Sequence, residues 1–181
     1  LLSLGMEFGF PTIANVEVDR HCVLRCRHCY IPSGDLSGSS KTVAVFRNIA
    51  MARETLSQLK ELGVFLIVLT GGEVFAAEHF KSFLEAAQQF DFCIEVFSSL
   101  QQAPEWFFDV NPVAAKICRV QTSVYSMESS VHDKITAVHG SLERTLASIN
   151  MLEAHGFYVE VATPLMLMNF DQRHEIRDYF V

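Results

Sequence analysis

Apolar runs of membrane-spanning length are missing from this chain. Half of its 181 residues are hydrophobic, yet no stretch reaches the roughly 18 consecutive apolar residues that a transmembrane helix needs. The longest runs, around Val64 to Leu69 and Val159 to Met168, are strand-length. Basic residues are also scarce: 14 Lys and Arg stand against 21 Asp and Glu, for a net charge of −7. That balance argues against nonspecific binding to nucleic acid, whose phosphates demand a basic surface. It is compatible with a cationic or neutral substrate. Charged residues make up 19% of the chain, too few for a disordered segment and consistent with one domain that buries a full core. There is no internal repeat at a fixed short period and no low-complexity tract. The opening string LLSLGMEFGF has neither the basic start nor the long apolar core of a secretory signal, and it lacks an initiator Met. The expectation is a cytoplasmic protein with no membrane and no nucleic-acid partner.

Cysteine is present, but not as a disulfide framework. There are five, an odd number, and three of them, Cys22, Cys26 and Cys29, crowd into DRHCVLRCRHCYIP. Clustering of this kind suits an intracellular metal site. Cys93 and Cys118 each lie inside an apolar run and are expected to be small buried hydrophobes. The clustered spacing is C-x3-C-x2-C, followed at once by Tyr30. Three thiolates can hold three irons of a four-iron, four-sulfur cluster and leave the fourth open to a small molecule. Most ferredoxin-type sites use four cysteines, so a triplet points to reactive chemistry more than to electron storage. A zinc site made of the three cysteines with His21 or His28 is the alternative. Zinc knuckles usually show a second ligand pair at a distance, and no such pair is visible here.

Strand and helix patterns alternate along the chain. Ile13 to Asp19 reads as a strand, and Val43 to Leu62 as a helix with Val45, Ile49, Ala52, Leu56, Leu59 and Leu62 on one face and Gly63 closing it. Val64 to Thr70 is a continuous apolar run, as in a strand buried on both faces. Ala77 to Phe90 reads as a helix, Phe92 to Phe97 as a strand, Pro104 to Asp109 as a short helix and Lys116 to Tyr125 as a strand. A helix over Ser141 to His155 has Ser141 as N-cap and Gly156 beyond its end. Phe157 to Thr163 is a fifth strand, and Asp171 to Phe180 a last helix. Such alternation implies parallel pairing with right-handed crossovers. Five units do not close an eight-stranded barrel. The fold class is therefore α/β: an open, partial TIM-like βα barrel of about five parallel strands with helices outside, stopping before a sixth. In such barrels chemistry gathers at the C-terminal strand ends, and every candidate polar group falls there. The cysteines follow strand one and Gly71, Gly72 and Glu73 strand two. Ser98 and Ser99 follow strand three, Ser123 and Tyr125 end strand four, and Thr163 ends strand five.

The cysteine triplet, with His28 between its last two members, resembles the C-x3-C-x-φ-C motif of the radical S-adenosylmethionine (radical SAM) enzymes, in which φ is usually aromatic or His. LTGGE, Leu69 to Glu73, is similar to that family's GGE motif. Ser123 to Leu152 resembles the matching region of the SPASM-type branch, which modifies peptides and proteins. The resemblance covers about residues 12 to 170 and implies that residues 1–181 form a radical SAM core domain, with 1–12 as lead-in. It also implies two cofactors, a 4Fe-4S cluster on Cys22, Cys26 and Cys29 and SAM chelated to the open iron. The reduced cluster would split SAM into methionine and a 5′-deoxyadenosyl radical that takes hydrogen from a substrate. The same resemblance assigns Gly71, Gly72 and Glu73 to the SAM amino group, His28 to the adenine side and Ser123 to the ribose. Tyr125 stands where Asp is common, Ser98 and Ser99 where relatives often read T-N-G, and Thr163 and Asn169 at polar positions after strand five. Val23 replaces a frequent Asn, and Val74 and Phe75 follow GGE where Pro is common.

The implied partners are a peptide or protein substrate and a reductant such as flavodoxin or ferredoxin. A small-molecule or cofactor-precursor substrate is the alternative, as is a noncatalytic iron–sulfur or zinc module. Outside that motif set, His132 and Asp133 are expected to begin a turn or helix with Asp133 capping. Glu143, Arg144 and Glu153 are expected to form a solvated helix face. Met166 and Met168 suit core packing better than a substrate cavity.

Overall fold

The computed structural model describes residues 7, 9–31, 46 and 48–181. Five strands form one sheet in the order β1-β2-β3-β4-β5. They are β1 (Ile13–Asp19), β2 (Leu66–Gly71), β3 (Cys93–Phe97), β4 (Ile117–Ser123) and β5 (Val159–Ala162). Every neighbouring pair is parallel. The crossovers carry α1 (Ile49–Glu61), α2 (Phe80–Gln89), a short α3 (Glu105–Phe108), α4 (Ser129–Thr136) and α5 (Ser141–Ala154), and α6 (Arg173–Phe180) follows β5. The open α/β sheet expected from the alternation is the one observed.

Side-chain alternation sorts the strands into two faces. Ile67, Leu69, Ile94, Val96 and Val120 are fully buried and join Leu56, Phe83, Leu84, Ala87, Leu142, Ile149 and Leu152 of the helices in one core. The intervening residues Glu95, Phe97, Arg119 and Gln121 face the opposite, concave side. There Arg119 bridges two strands, donating to Glu95 at 2.6 Å and to Glu160 at 2.5 Å. Hydrophobic burial thus fixes the helices outside and leaves polar groups lining the hollow.

Element boundaries differ from the expected ones where a specific group stops the chain. Asn48 caps α1, its Oδ1 accepting from the Met51 N–H at 2.9 Å; Val43 to Val45 lie outside the described residues. Ser141 is not the cap of α5. Gly140, in the left-handed region at φ 71°, takes that place. Asp133 supplies the missing acceptor from α4, receiving Gly140 N–H at 2.6 Å, Ser141 Oγ–H at 2.8 Å and Leu142 N–H at 3.2 Å. His132 and Asp133 sit inside α4 instead of beginning it. The last helix is preceded by a separate 3-10 turn, Phe170–Gln172. Met168 is exposed, with Leu165, Leu167 and Phe170, instead of packing in the core.

Cys93 and Cys118 are not buried hydrophobes: they form a disulfide, with Cα atoms 6.4 Å apart. Pairing of β3 with β4 runs Ile94 to Ile117 and then Glu95 to Arg119, so Cys118 is the extra residue of a bulge. Two cysteines 25 residues apart in sequence are thereby placed side by side at the N-terminal end of the sheet. An apolar run in sequence does not reveal which residue a bulge turns out of the core.

Candidate active site

Parallel pairing brings all five C-terminal strand ends to one rim, and the chain turns into the cysteine loop at the first of them. Asp19 makes that turn, its Oδ1 accepting from the N–H groups of Arg20 and His21 at 2.6 and 3.2 Å. The exit of β2 lies directly against this bend. Gly72 N–H donates to Asp19 O at 2.8 Å and Glu73 N–H to His21 O at 2.6 Å. A Cβ on Gly71 would stand 2.0 Å from Asp19 O, and one on Gly72 2.1 Å from His21 O. Gly71 also holds φ 135°, a region that favours glycine. Backbone-to-backbone contact between β1 and β2 therefore requires both glycines before any ligand is considered.

Glu73 is 1% exposed. Its carboxylate accepts from Ser98 Oγ at 2.6 Å, Ser99 N–H at 2.9 Å and Phe75 N–H at 3.1 Å, and also from Ser99 Oγ. Four donors on one buried carboxylate tie the exit of β2 to that of β3. The cysteine loop is held by α4. Arg25 N–H donates to Thr136 O at 3.0 Å and Arg27 N–H to Ile135 O at 3.1 Å. These helix-end carbonyls have no intrahelical donor of their own, and the two bonds bracket Cys26.

Around this frame lies a cavity of about 250 Å³. It brings together Cys22, Cys26, His28, Cys29, Gly71, Gly72, Ser98, Ser123 and Tyr125. The side chains of Glu73 and Thr163 do not line it. Glu73 lies behind the Ser98–Ser99 rim, and Thr163 donates its hydroxyl to Val124 O at 2.8 Å, joining the exits of β4 and β5. Asn169 is fully buried and donates to Tyr125 O at 2.8 Å and Pro164 O at 3.0 Å. Tyr30 is 71% exposed, its hydroxyl 3.3 Å from Glu17. Phe97, Gln121, His132, Thr136 and Thr145 also line the cavity and were not singled out as binding residues from sequence. Gln121 was within reach of strand periodicity, being two residues before Ser123 on the same face. His132, Thr136 and Thr145 arrive from helices, and no local pattern marks them.

Burial keeps the Cys22 and Cys26 thiols in their neutral form at pH 7. Burial pushes the Cys22 thiol up to about 12. A backbone hydrogen bond at Leu24 opposes that shift, and the charges of Glu73, Cys26 and Cys29 reinforce it. Burial and then Cys29 push Cys26 up to about 11, against a hydrogen bond with the Tyr125 side chain that lowers it. Three sulfur ligands in one pocket repel one another as anions, and an iron centre reverses that by supplying positive charge. Among the described residues no three His, Cys, Asp or Glu side chains converge as ligands of a single metal ion would. Three free cysteines lining one cavity are a donor set that an iron–sulfur cluster accepts. His132 is 1% exposed, and burial lowers its pKa from 6.5 to about 4, so the ring is neutral at pH 7. Its Nδ1 accepts the Tyr125 N–H at 3.3 Å. Among the described residues no helix is long and apolar enough to cross a membrane.

Comparison with known proteins gives concordant results. The chain is 27% identical over 171 residues to the antilisterial bacteriocin subtilosin biosynthesis protein AlbA of Bacillus subtilis, a match covering 94% of this chain and 37% of AlbA. It is 24% identical over 146 residues to the PqqA peptide cyclase of Bradyrhizobium diazoefficiens, covering 80% of this chain and 36% of the cyclase. Among solved structures, Streptococcus suis SuiB bound to its precursor peptide SuiA superposes with a TM-score of 0.79 at 14% identity, over 98% of this chain and 39% of SuiB. The chain thus spans somewhat more than a third of each of these proteins, and the SuiB likeness is one of fold. The Radical SAM superfamily model matches residues 16–180, taking in the cysteine loop, the glycine pair and all five strand ends. The chain belongs to the radical SAM superfamily, whose cofactors are a 4Fe-4S cluster and S-adenosylmethionine.

Proposed function

We propose that this chain is the catalytic core of a peptide-modifying radical SAM enzyme, with residues 1–181 as its core domain. The carrying observation is the convergence of three free cysteines, the glycine pair, Ser98, Ser123 and Tyr125 on one cavity at the rim of an open barrel. Cys22, Cys26 and Cys29 hold the cluster, which when bound supplies the electron that splits SAM to a 5′-deoxyadenosyl radical. The chain's own residues position and shield that chemistry. Gly71 and Gly72 offer backbone without side chains next to the cysteine loop, where the amino-acid end of SAM docks. Glu73 acts through the Ser98–Ser99 rim it holds, His28 faces the adenine, and Ser123 lies on the ribose side. Thr163 acts from behind by fixing the β4 and β5 exits. The part of the cavity walled by Phe97 and Gln121 admits the substrate.

A peptide substrate is supported by the relatives: AlbA is named for bacteriocin biosynthesis, the cyclase for a peptide, and SuiB is bound to a precursor peptide. A flavodoxin or ferredoxin is the proposed reductant. The test is anaerobic reconstitution with iron and sulfide, reduction, addition of SAM and chromatography for 5′-deoxyadenosine. Product is expected from the wild type and not from Cys26→Ala. Equal product from both, or a protein that takes up zinc and no cluster, refutes the reading.

A further inference from the structure

The fold buries His132 and leaves one of its ring nitrogens without a partner. His132 is 1% exposed, belongs to α4 and lines the cavity. Its Nδ1 accepts the Tyr125 N–H at 3.3 Å, and among the described residues that is the ring's only hydrogen bond. A backbone amide donates, so in the neutral ring the proton lies on Nε2. Burial lowers the pKa to about 4 and keeps the ring in this form at pH 7. A buried donor left unpaired is unfavourable, and a ligand that brings an acceptor removes that cost. Thr122 Oγ1, on the same wall, is buried without a partner as well. Of the two, the His132 donor sits on the element that holds the cysteine loop. Thr136, one turn along α4 and also on the wall, takes the Arg25 N–H at 3.0 Å, and Ile135 O beside it takes the Arg27 N–H at 3.1 Å.

The wall restricts how a charged group is received. Among the described residues it holds no Lys, Arg, Asp or Glu. The other histidine, His28, has its Nε2 engaged with the Tyr125 hydroxyl at 3.2 Å. The hydroxyls of Ser98 and Ser99 donate to Glu73, and that of Thr145 donates to Ser99 O. An anionic group entering here meets no cation and is held by neutral donors. We infer that His132 Nε2–H is a hydrogen-bond donor to the carboxylate of S-adenosylmethionine. The inference rests on the proposed cluster and SAM site and adds to it a residue from α4. Under that reading the amino-acid end of SAM lies next to the cluster. The cluster loop packs on the end of α4, so the carboxylate is the acceptor on the His132 side. The Tyr125 N–H fixes the direction in which the ring donates.

The test is calorimetric binding of SAM to the reconstituted protein, with decarboxylated SAM as the comparison ligand. His132→Asn keeps an acceptor where Nδ1 stands and removes the donor at Nε2, whereas His132→Gln keeps a donor near Nε2. His132→Asn is expected to weaken SAM binding roughly tenfold, and His132→Gln about threefold. Neither is expected to change binding of decarboxylated SAM. At wild-type iron content, equal losses in the two variants, equal losses for the two ligands, or no loss at all overturn the inference. Should His132→Asn take up no iron, His132→Gln decides: an equal effect on both ligands, or none, overturns it. A wild type that assembles no cluster, or whose cluster binds no SAM, refutes the proposed function itself, and the two failures are thereby distinguished.

Discussion

Replacing Gly72 with alanine tests the claim that the glycine pair is demanded by contact between strands. The added Cβ would lie 2.1 Å from His21 O, 2.5 Å from His21 C and 2.6 Å from Arg20 O. Ordinary van der Waals contact begins near 3.4 Å, so the two backbones must part by more than an ångström. That displacement breaks the Gly72-to-Asp19 and Glu73-to-His21 hydrogen bonds, now 2.8 and 2.6 Å long. Two bonds at about 1 kcal/mol each, with about 1–3 kcal/mol for forced repacking, give a loss of about 3–5 kcal/mol. For a chain of this size that corresponds to a fall in Tm of roughly 10 °C. Gly156→Ala is the internal comparison. Gly156 has positive φ but nothing within 4 Å of a Cβ, so its cost is the left-handed strain alone, about 1–2 kcal/mol. Calorimetry on both apo-proteins reads the difference without ligand stabilisation. Iron analysis after reconstitution reads its consequence, because the backbone that moves is where the cysteine loop begins. Gly72→Ala is expected to lose most of its iron and Gly156→Ala none. Equal falls in Tm with full iron in both would refute the steric argument.

Three further outcomes are expected. Glu73→Gln places amide hydrogens among the donors from Ser98, Ser99 and Phe75; it is expected to cost about 2–4 kcal/mol, and an unchanged urea midpoint would refute the clamp. His132, with its pKa lowered from 6.5 to about 4 by burial, binds a proton in the unfolded chain before the folded one. Its contribution is complete above pH 6.5 and is lost as pH falls toward 4, so apo-protein is expected to be about 2 kcal/mol less stable at pH 5 than at pH 7, with a shallower slope in His132→Gln. Cys93→Ser opens a cross-link of 25 residues' separation and is expected to cost about 3 kcal/mol in the absence of thiol reductant. The variant and the wild type should coincide once dithiothreitol is present, and a difference that persists there would place the effect in packing instead.

Legibility from sequence followed the range of the forces involved. The strands were readable because burial writes its period into neighbouring residues, as in the apolar run of β2 and the alternation of β3. The rim followed from topology: once five strands are parallel, their ends share an edge. The grouping of Cys22, Cys26 and Cys29 was readable from spacing, since one short loop carries all three to one cavity. Long-range pairings were not. Nothing near Asp133 announces that it caps a helix beginning eight residues later. Nothing near Thr136 announces that its carbonyl takes the Arg25 N–H. The disulfide depends on a one-residue bulge in β4, and a bulge is a property of the pairing, invisible in either strand alone.

The groups that face the cavity are set by groups behind it and by one another. Glu73 fixes the Ser98–Ser99 rim, Thr163 joins two strand exits, Asn169 and His132 pin Tyr125, and the end of α4 brackets Cys26. Each of these supporting atoms is satisfied within the protein, so a ligand need not compete for them. Chemistry that releases a reactive radical needs its cofactor placed before the reaction and little freedom afterwards. Under the proposed function, a buried frame of satisfied hydrogen bonds behind a wall of glycine, serine and thiol supplies that placement. Glu73 acts on the cavity without touching it: its carboxylate holds Ser98, Ser99 and the Phe75 N–H, and with them the rim between the β2 and β3 exits.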